Sequence, residues 1–176
     1  MSRYDLAATH VVNKFLWSRL SADFGMSKSQ YHDLVPIIPT QQVPIFNDLP
    51  SGRPFIVYNY INVGYSDDFY TDTEQVSYRI YGDKEGQLRN IHHYIVDLFK
   101  RYDWAAQEIN NYVSSMATTD GDEHAFDFKY TTVVMATSPE PTTEEGGRQV
   151  AMATVRINYT HETQGIPGQI NQGMRA

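Results

Sequence analysis

Apolar residues recur at helical spacing from Asp5 to Phe24, with Ala8, Val12, Phe15, Leu16 and Leu20 on one stripe, which predicts an amphipathic helix facing a core. Ser2 and Asp5 resemble a capping box, in which the hydroxyl satisfies an orphan amide and the acid complements the positive end of the helix dipole. Gly25 is a natural stop, because glycine adopts the left-handed conformation without a Cβ penalty. The pattern breaks at Met26. From there to Pro54, the prolines at 36, 39, 44, 50 and 54 each remove an amide donor and bias the preceding residue toward extended geometry, which predicts an irregular arm. Connections of that length inside a domain are often either functional or mobile.

Beyond the arm the period shortens. Phe55 to Val63 is dense in β-branched and aromatic side chains, the composition of a strand with apolar groups on both faces. Gly64 to Asp72 turns the chain. The next run alternates, with Val76, Tyr78 and Ile80 on one face and Gln75, Ser77, Arg79 and Tyr81 on the other. After Gly82 and Asp83, a helix-forming stretch from Gln87 to Met116 places Leu88, Ile91, Ile95, Leu98 and Tyr102 in one stripe against the sheet, and Asp103 to Met116 either continues that helix or begins a second. Phe126, Phe128, Tyr130, Thr132 and Val134 then alternate, as do Ala151, Ala153, Val155, Ile157 and Tyr159, which predicts a hairpin. The loop between them, Thr137 to Arg148, reads as a loose finger: Pro139 and Pro141 resist sheet extension, Gly146 and Gly147 permit reversal, and Glu140, Glu144 and Glu145 keep it soluble.

The order α-ββ-α-ββ predicts an α/β (α+β) fold: a four-stranded, mainly antiparallel sheet with helices packed on one face. Residues 1–161 are expected to form one domain, with the arm at 26–54 and the hairpin loop at 137–148. Residues 162–176 lack apolar periodicity and read as a flexible tail.

The 176-residue length suits a single core that buries roughly two-thirds of the unfolded surface. A net charge of −7 argues against tight nonspecific binding to a phosphate backbone, which needs clustered Lys and Arg to displace counterions. The 13 tyrosines supply amphipathic side chains for half-wet surfaces. Without cysteine there are no disulfides, thiolate nucleophiles or Cys-ligated zinc, which fits a reducing compartment. No signal-peptide core and no apolar run of bilayer length are present, so a soluble cytosolic product with no membrane partner is expected.

Candidate chemistry is sparse. His92 and His93 are adjacent on a helix, diverge by about 100° and do not clasp one metal, so they read as structural or surface residues. Asp120, Asp122, Glu123 and His124 cluster at a turn but lack the spacing of a calcium loop. Asp67, Asp68, Asp72 and Glu74 offer paired carboxylates, though turns favour aspartate without any chemistry. A small hydrolase would need a polar pocket around Asp67, Asp68 and His124. No Gly-x-Ser-x-Gly elbow or phosphate-cradling glycine loop is present. Asn158-Tyr159-Thr160 matches a glycosylation acceptor inside a predicted strand and reads as coincidence. Trp17 and Trp104 read first as packing residues, although an interface uses the same amphipathic bodies.

The first helix, the Phe55 to Asn62 strand, the Val76 to Tyr81 strand leading through Gly82 into the Leu88 to Tyr102 helix, and the Phe126 to Tyr159 hairpin together resemble the tail-terminator family of tailed bacteriophages. The likeness covers roughly Asp5 to Tyr159 and is one of element order, length and loop placement. It implies a structural virion protein rather than an enzyme, with no cofactor and no metal, assembled in the host cytoplasm. In that family picture a homo-hexameric ring caps the finished tail tube at the tail–neck junction, ends its polymerisation and joins it to the head connector. The implied partners are the tail tube protein, in some tails a sheath, and the head–tail connector protein, while genomic DNA passes through without specific binding. Another head–tail connector or tail-completion protein is the alternative. For the ring interface the expected residues are Tyr58, Tyr60, Arg79 and Tyr81, on the exposed sheet face or its edges; for axial contacts they are Glu140, Glu144, Glu145 and Arg148 with the tail.

Overall fold

A computed structural model describes residues 8–41, 48–65, 71–116, 126–141 and 148–161. The mixed α+β fold is as expected, but the sheet has five strands and the helices number three among the described residues. Helix α1 (Ala8–Phe24) buries Ala8, Val12, Phe15, Leu16 and Leu20, the stripe read from the sequence. It ends at Gly25, whose φ of 65° is the left-handed geometry a helix stop requires, and the Met26 amide closes back on the Leu20 carbonyl at 3.3 Å. Ser2 and Asp5, the expected capping box, lie outside the described residues. The described first turn is met instead from the sheet, where a Glu74 carboxylate oxygen accepts from the Thr9 amide at 2.7 Å and the Thr9 hydroxyl at 3.0 Å.

The arm is where the four-strand expectation fails. After a short 3-10 turn at Lys28–Gln30, the chain forms strand β1 (Ile37–Pro39), which pairs in parallel with strand β2 (Phe55–Tyr65) through Ile37↔Ile56 and Ile38↔Val57. Pro36 and Pro39 permit this because β1 is an edge strand only three residues long, where missing donors face outward. The arm is tied at its base by Tyr31, buried and donating its hydroxyl to the Pro54 carbonyl at 2.6 Å.

Strand β3 (Asp72–Gly82) runs antiparallel to β2 and carries Val76, Tyr78 and Ile80 inward as expected. Helix α2 (Glu85–Phe99) buries Leu88, Ile91, Ile95 and Leu98. The predicted stripe does not reach Tyr102, which is 52% exposed, because the helix breaks there. Tyr102 takes φ 57° and ψ −112°, and helix α3 (Asp103–Ser115) starts after it. Strand β4 (Phe126–Pro141) and strand β5 (Gln149–His161) complete the sheet in the order β1-β2-β3-β5-β4.

On β5 the predicted alternation holds, with Ala151, Ala153, Val155, Ile157 and Tyr159 all buried. On β4 it holds only for Phe126 and Phe128. Register shifts at Phe128/Tyr130 and Val133/Met135 re-phase the strand, so Thr131 and Val133 turn inward and Val134 is exposed. The loose Thr137 to Arg148 loop is also corrected. Pairing continues to Pro141↔Gln149 despite Pro139 and Pro141, because β4 is the other edge and a further register shift lies between Thr137 and Glu140.

Candidate interaction surfaces

The strand register sorts side chains onto two faces. Ile56, Tyr58 and Tyr60 stand across from Ile80, Tyr78 and Val76 on the face that the helices cover. There α1 supplies Asn13, whose Oδ1 accepts from the Tyr78 hydroxyl at 2.6 Å, and α2 supplies Phe99, whose ring stacks on Tyr78. Helix α3 is bound to β4 by Asn110, which donates to the Phe128 carbonyl and accepts from its amide. His92 is buried with Nε2 3.1 Å from the Met152 carbonyl, a structural role, and its neighbour His93 is exposed.

No described helix lies over the opposite face. Its central positions run Val57, Arg79, Met152 across three strands, flanked by Phe55, Tyr81 and Val150 on one side and by Asn59, Ser77 and Thr154 on the other. Arg79 and Arg156 are exposed, as are Ile61 and Met135, and the Thr154 hydroxyl is buried without a hydrogen-bond partner. At one margin Phe55 stacks on Tyr81 with centroids 5.2 Å apart. The Arg148 guanidinium sits 5.2 Å from the Phe55 ring centre, and its Nε is 3.6 Å from Asp83 Oδ1.

The expected ring residues are therefore not one patch. Arg79 and Tyr81 belong to the open face, whereas Tyr58 and Tyr60 lie on the helix side, ring centres 6.2 Å apart. Burial pushes the Tyr60 hydroxyl up to about 12, with the Glu74 charge adding to it, and it pushes the Tyr58 hydroxyl up too. Of the expected axial residues, Arg148 turns back onto its own sheet, Glu140 occupies a β4 register position opposite Val150, and Glu144 and Glu145 lie outside the described residues.

A cleft of about 420 Å³ opens beside β1, between α1 and the end of α3. Among the described residues its lining comprises His10, Asn13, Lys14, Trp17, Lys28, Val35, Ile37, Tyr58, Tyr112 and Met116, a mix of cations and aromatics. The Trp17 indole donates to the Met26 carbonyl at 2.8 Å, and Lys28 Nζ stands 5.9 Å from the indole ring centre. Asn13 Nδ2, at the root of the cleft, is buried with no hydrogen-bond partner. Nothing in the sequence periodicity marked this site, because its walls come from the arm, two helices and a sheet edge.

No protein-family model matches the chain, and no curated protein matches it. The acid-base candidates separate as follows. Asp67, Asp68, Asp120, Asp122, Glu123 and His124 fall outside the described residues. Glu74 is committed to Thr9, and its carboxyl is raised above the usual range by burial, against the opposing pull of the Thr9 hydrogen bonds. Among the described residues no group of three or more His, Cys, Asp or Glu is placed to hold a metal ion, and no helix is long and apolar enough to cross a membrane.

A second aromatic surface lies at the α2–α3 corner. Tyr102 stacks on Tyr130 with centroids 4.5 Å apart and planes 5° from parallel, and Arg101 stands 4.7 Å over the exposed Trp104 ring. Arginine and large aromatics of this kind are the residues that anchor protein interfaces.

Proposed function

We propose that this chain is a structural assembly subunit that closes head-to-tail into a ring, and that the ring is the hexameric tail terminator of a tailed bacteriophage. The observation that carries the reading is the asymmetry of the sheet. One face is sealed by three helices, the other has no described helix over it, and the two edges are unlike: a three-residue parallel strand at one side and a long proline-ended strand at the other. A cyclic ring needs two different complementary patches per subunit, and an unsymmetrical sheet provides them. The resemblance in element order points to the tail–neck junction, with the tail tube protein below and the head connector above. The net charge of −7 suits a conduit that does not hold DNA phosphates.

On this reading the work of the protein is contact, not catalysis. The open face around Arg79, Tyr81 and Met152 meets a neighbouring subunit, and the ring stops tube growth by covering its last layer. A capping assay tests this: purified protein added to polymerising tail tubes is expected to arrest elongation at substoichiometric amounts. Tubes that lengthen unchanged, with the protein bound to isolated connectors instead, would replace the terminator with a connector component.

A further inference from the structure

We propose that Arg79 and Arg156, on the sheet face with no described helix over it, form a seat for carboxylates presented by a different surface of a second copy of this chain. The inference rests on the ring reading above and gives its contact a chemistry and a direction.

The strand register places the seat. Gln75, Ser77 and Arg79 of β3 pair with Arg156, Thr154 and Met152 of β5, so the two arginines stand at opposite corners of a six-residue patch. Four residues at about 3.3 Å and one interstrand step of about 4.8 Å put their Cα atoms roughly 14 Å apart, a span that two long side chains can bridge onto one group. Both are exposed, and among the described residues neither has a hydrogen-bond or ion-pair partner. Two described acids that border the face are committed elsewhere: Asp127 Oδ2 is 2.6 Å from Lys129 Nζ, and Asp83 Oδ1 is 3.6 Å from Arg148 Nε. Between the arginines, Thr154 is 2% exposed and its hydroxyl has no hydrogen-bond partner. Guanidiniums and an orphan hydroxyl are donors in want of acceptors. A carboxylate is the acceptor that guanidinium geometry fits, through two parallel N–H···O bonds.

The surroundings of the patch select a protein partner over a nucleic acid. Val57, opposite Arg79, is buried, Met152 is half-buried, and Met135, opposite Thr154, is 50% exposed. A protein surface covers such apolar area and a phosphate backbone does not. A second copy supplies the anions, because the chain carries 21 Asp and Glu against 14 Lys and Arg. Screening over about 8 Å at physiological salt lets local pairs outweigh the repulsion between two chains of net charge −7. Two arginine-bearing faces set against each other repel, so the carboxylates come from another surface of the copy. The contact is therefore heterologous, one subunit's seat against a different patch of the next, and closes into a ring where the rotation allows.

The test is charge reversal in the full-length protein, read by native mass spectrometry over a concentration series. Arg79→Glu with Arg156→Glu is expected to raise the concentration for half-assembly at least tenfold, and Arg79→Gln with Arg156→Gln to raise it less. The glutamine pair, which adds no new charge, carries the test should the reversed chain unfold. Lys84→Glu with Arg89→Glu, the same change in net charge made at the start of α2, is expected not to raise it. The reversed variant keeps its carboxylate surface, so a minor fraction of it mixed into wild type is expected to convert closed rings into open oligomers. Assembly of both arginine variants at wild-type concentrations, or an equal loss in the α2 control, overturns the seat while leaving the ring intact. A wild type that never assembles overturns ring and seat together. Single-stranded DNA bound by wild type at physiological salt, and released by Arg79→Glu with Arg156→Glu, would assign the face to nucleic acid and overturn the second copy as its occupant.

Discussion

The helix-covered face of the sheet and its opposite face share the same five strands and differ in how completely their side chains are used. On the covered face Ile56, Val76, Tyr78, Ile80, Ala153, Val155 and Ile157 are all buried, and the Tyr78 hydroxyl finds its partner on a helix, Asn13, whose own Nδ2 is buried without one. On the other face Arg79 and Arg156 stand exposed around the buried Val57, Ser77 and Thr154, with the Thr154 hydroxyl unpartnered. One face is covered by its own chain's helices. The other mixes apolar side chains with exposed arginines, the composition that the proposed ring contact would use.

The sharpest way to break that contrast is to truncate single side chains on each face. Ile80→Ala is expected to cost about 2–4 kcal/mol in urea denaturation, because it leaves a cavity in a closed core. Arg79→Ala and Met135→Ala are expected to stay within about 0.5 kcal/mol of wild type while lowering assembly. Equal losses on both faces would mean that the open face is structural.

A smaller effect is expected where the two elements of the covered face are joined by charge. Glu74→Ala removes the acceptor for the Thr9 amide and hydroxyl and is expected to cost about 1–2 kcal/mol. Glu74→Gln keeps an acceptor and separates the charge from the bond. Because burial raises the folded-state pKa of Glu74, its protonated form is favoured by folding, and that contribution is complete below the unfolded carboxylate pKa and lost as pH rises through the folded value. Wild type should therefore gain stability relative to Glu74→Gln as pH falls from neutral into the carboxylate range. A difference that is flat with pH, measured by denaturation at several pH values, would contradict the assigned burial cost.

Much of this was legible in the periodicity, and the misses have physical causes. The α1 stripe, the inward set of β3 and the inward set of β5 follow from spacing alone, because each element is regular over its whole length. Strand β1 escaped because Pro36 precedes it and Pro39 is its last residue, and a short edge strand tolerates what a central strand does not. The β4 phase failed at its register shifts, since each extra residue flips every later side chain to the other face. Tyr102 kept its helical spacing in the sequence yet left the stripe, because the α2–α3 break is set by its backbone conformation. The cleft was illegible for a different reason: Asn13, Lys28, Tyr58 and Tyr112 are far apart in the chain, and only the packing of the arm brings them together.

Tyr102 offers a third way to sharpen the comparison, at the edge where the two faces meet. Its positive φ favours glycine, so Tyr102→Gly relieves strain while losing the Tyr130 stack, and Tyr102→Ala loses the stack and keeps the strain. The glycine variant is expected to be more stable than the alanine variant by about 1 kcal/mol in thermal or urea unfolding. The reverse order would show that the ring stack, not the backbone, dominates at this corner. The smallest effect is expected from Arg148→Ala, within about 0.5–1 kcal/mol, since a partly exposed pair at 3.6 Å and one cation–π contact contribute little to folding.

The decisive measurement is the state of the full-length protein by electron microscopy, with its mass determined in solution. Closed rings of six 20.2 kDa subunits, free or seated on the end of a tail tube, are expected. Single subunits at every concentration, with no ring on tubes supplied to them, would contradict head-to-tail closure and the function built on it.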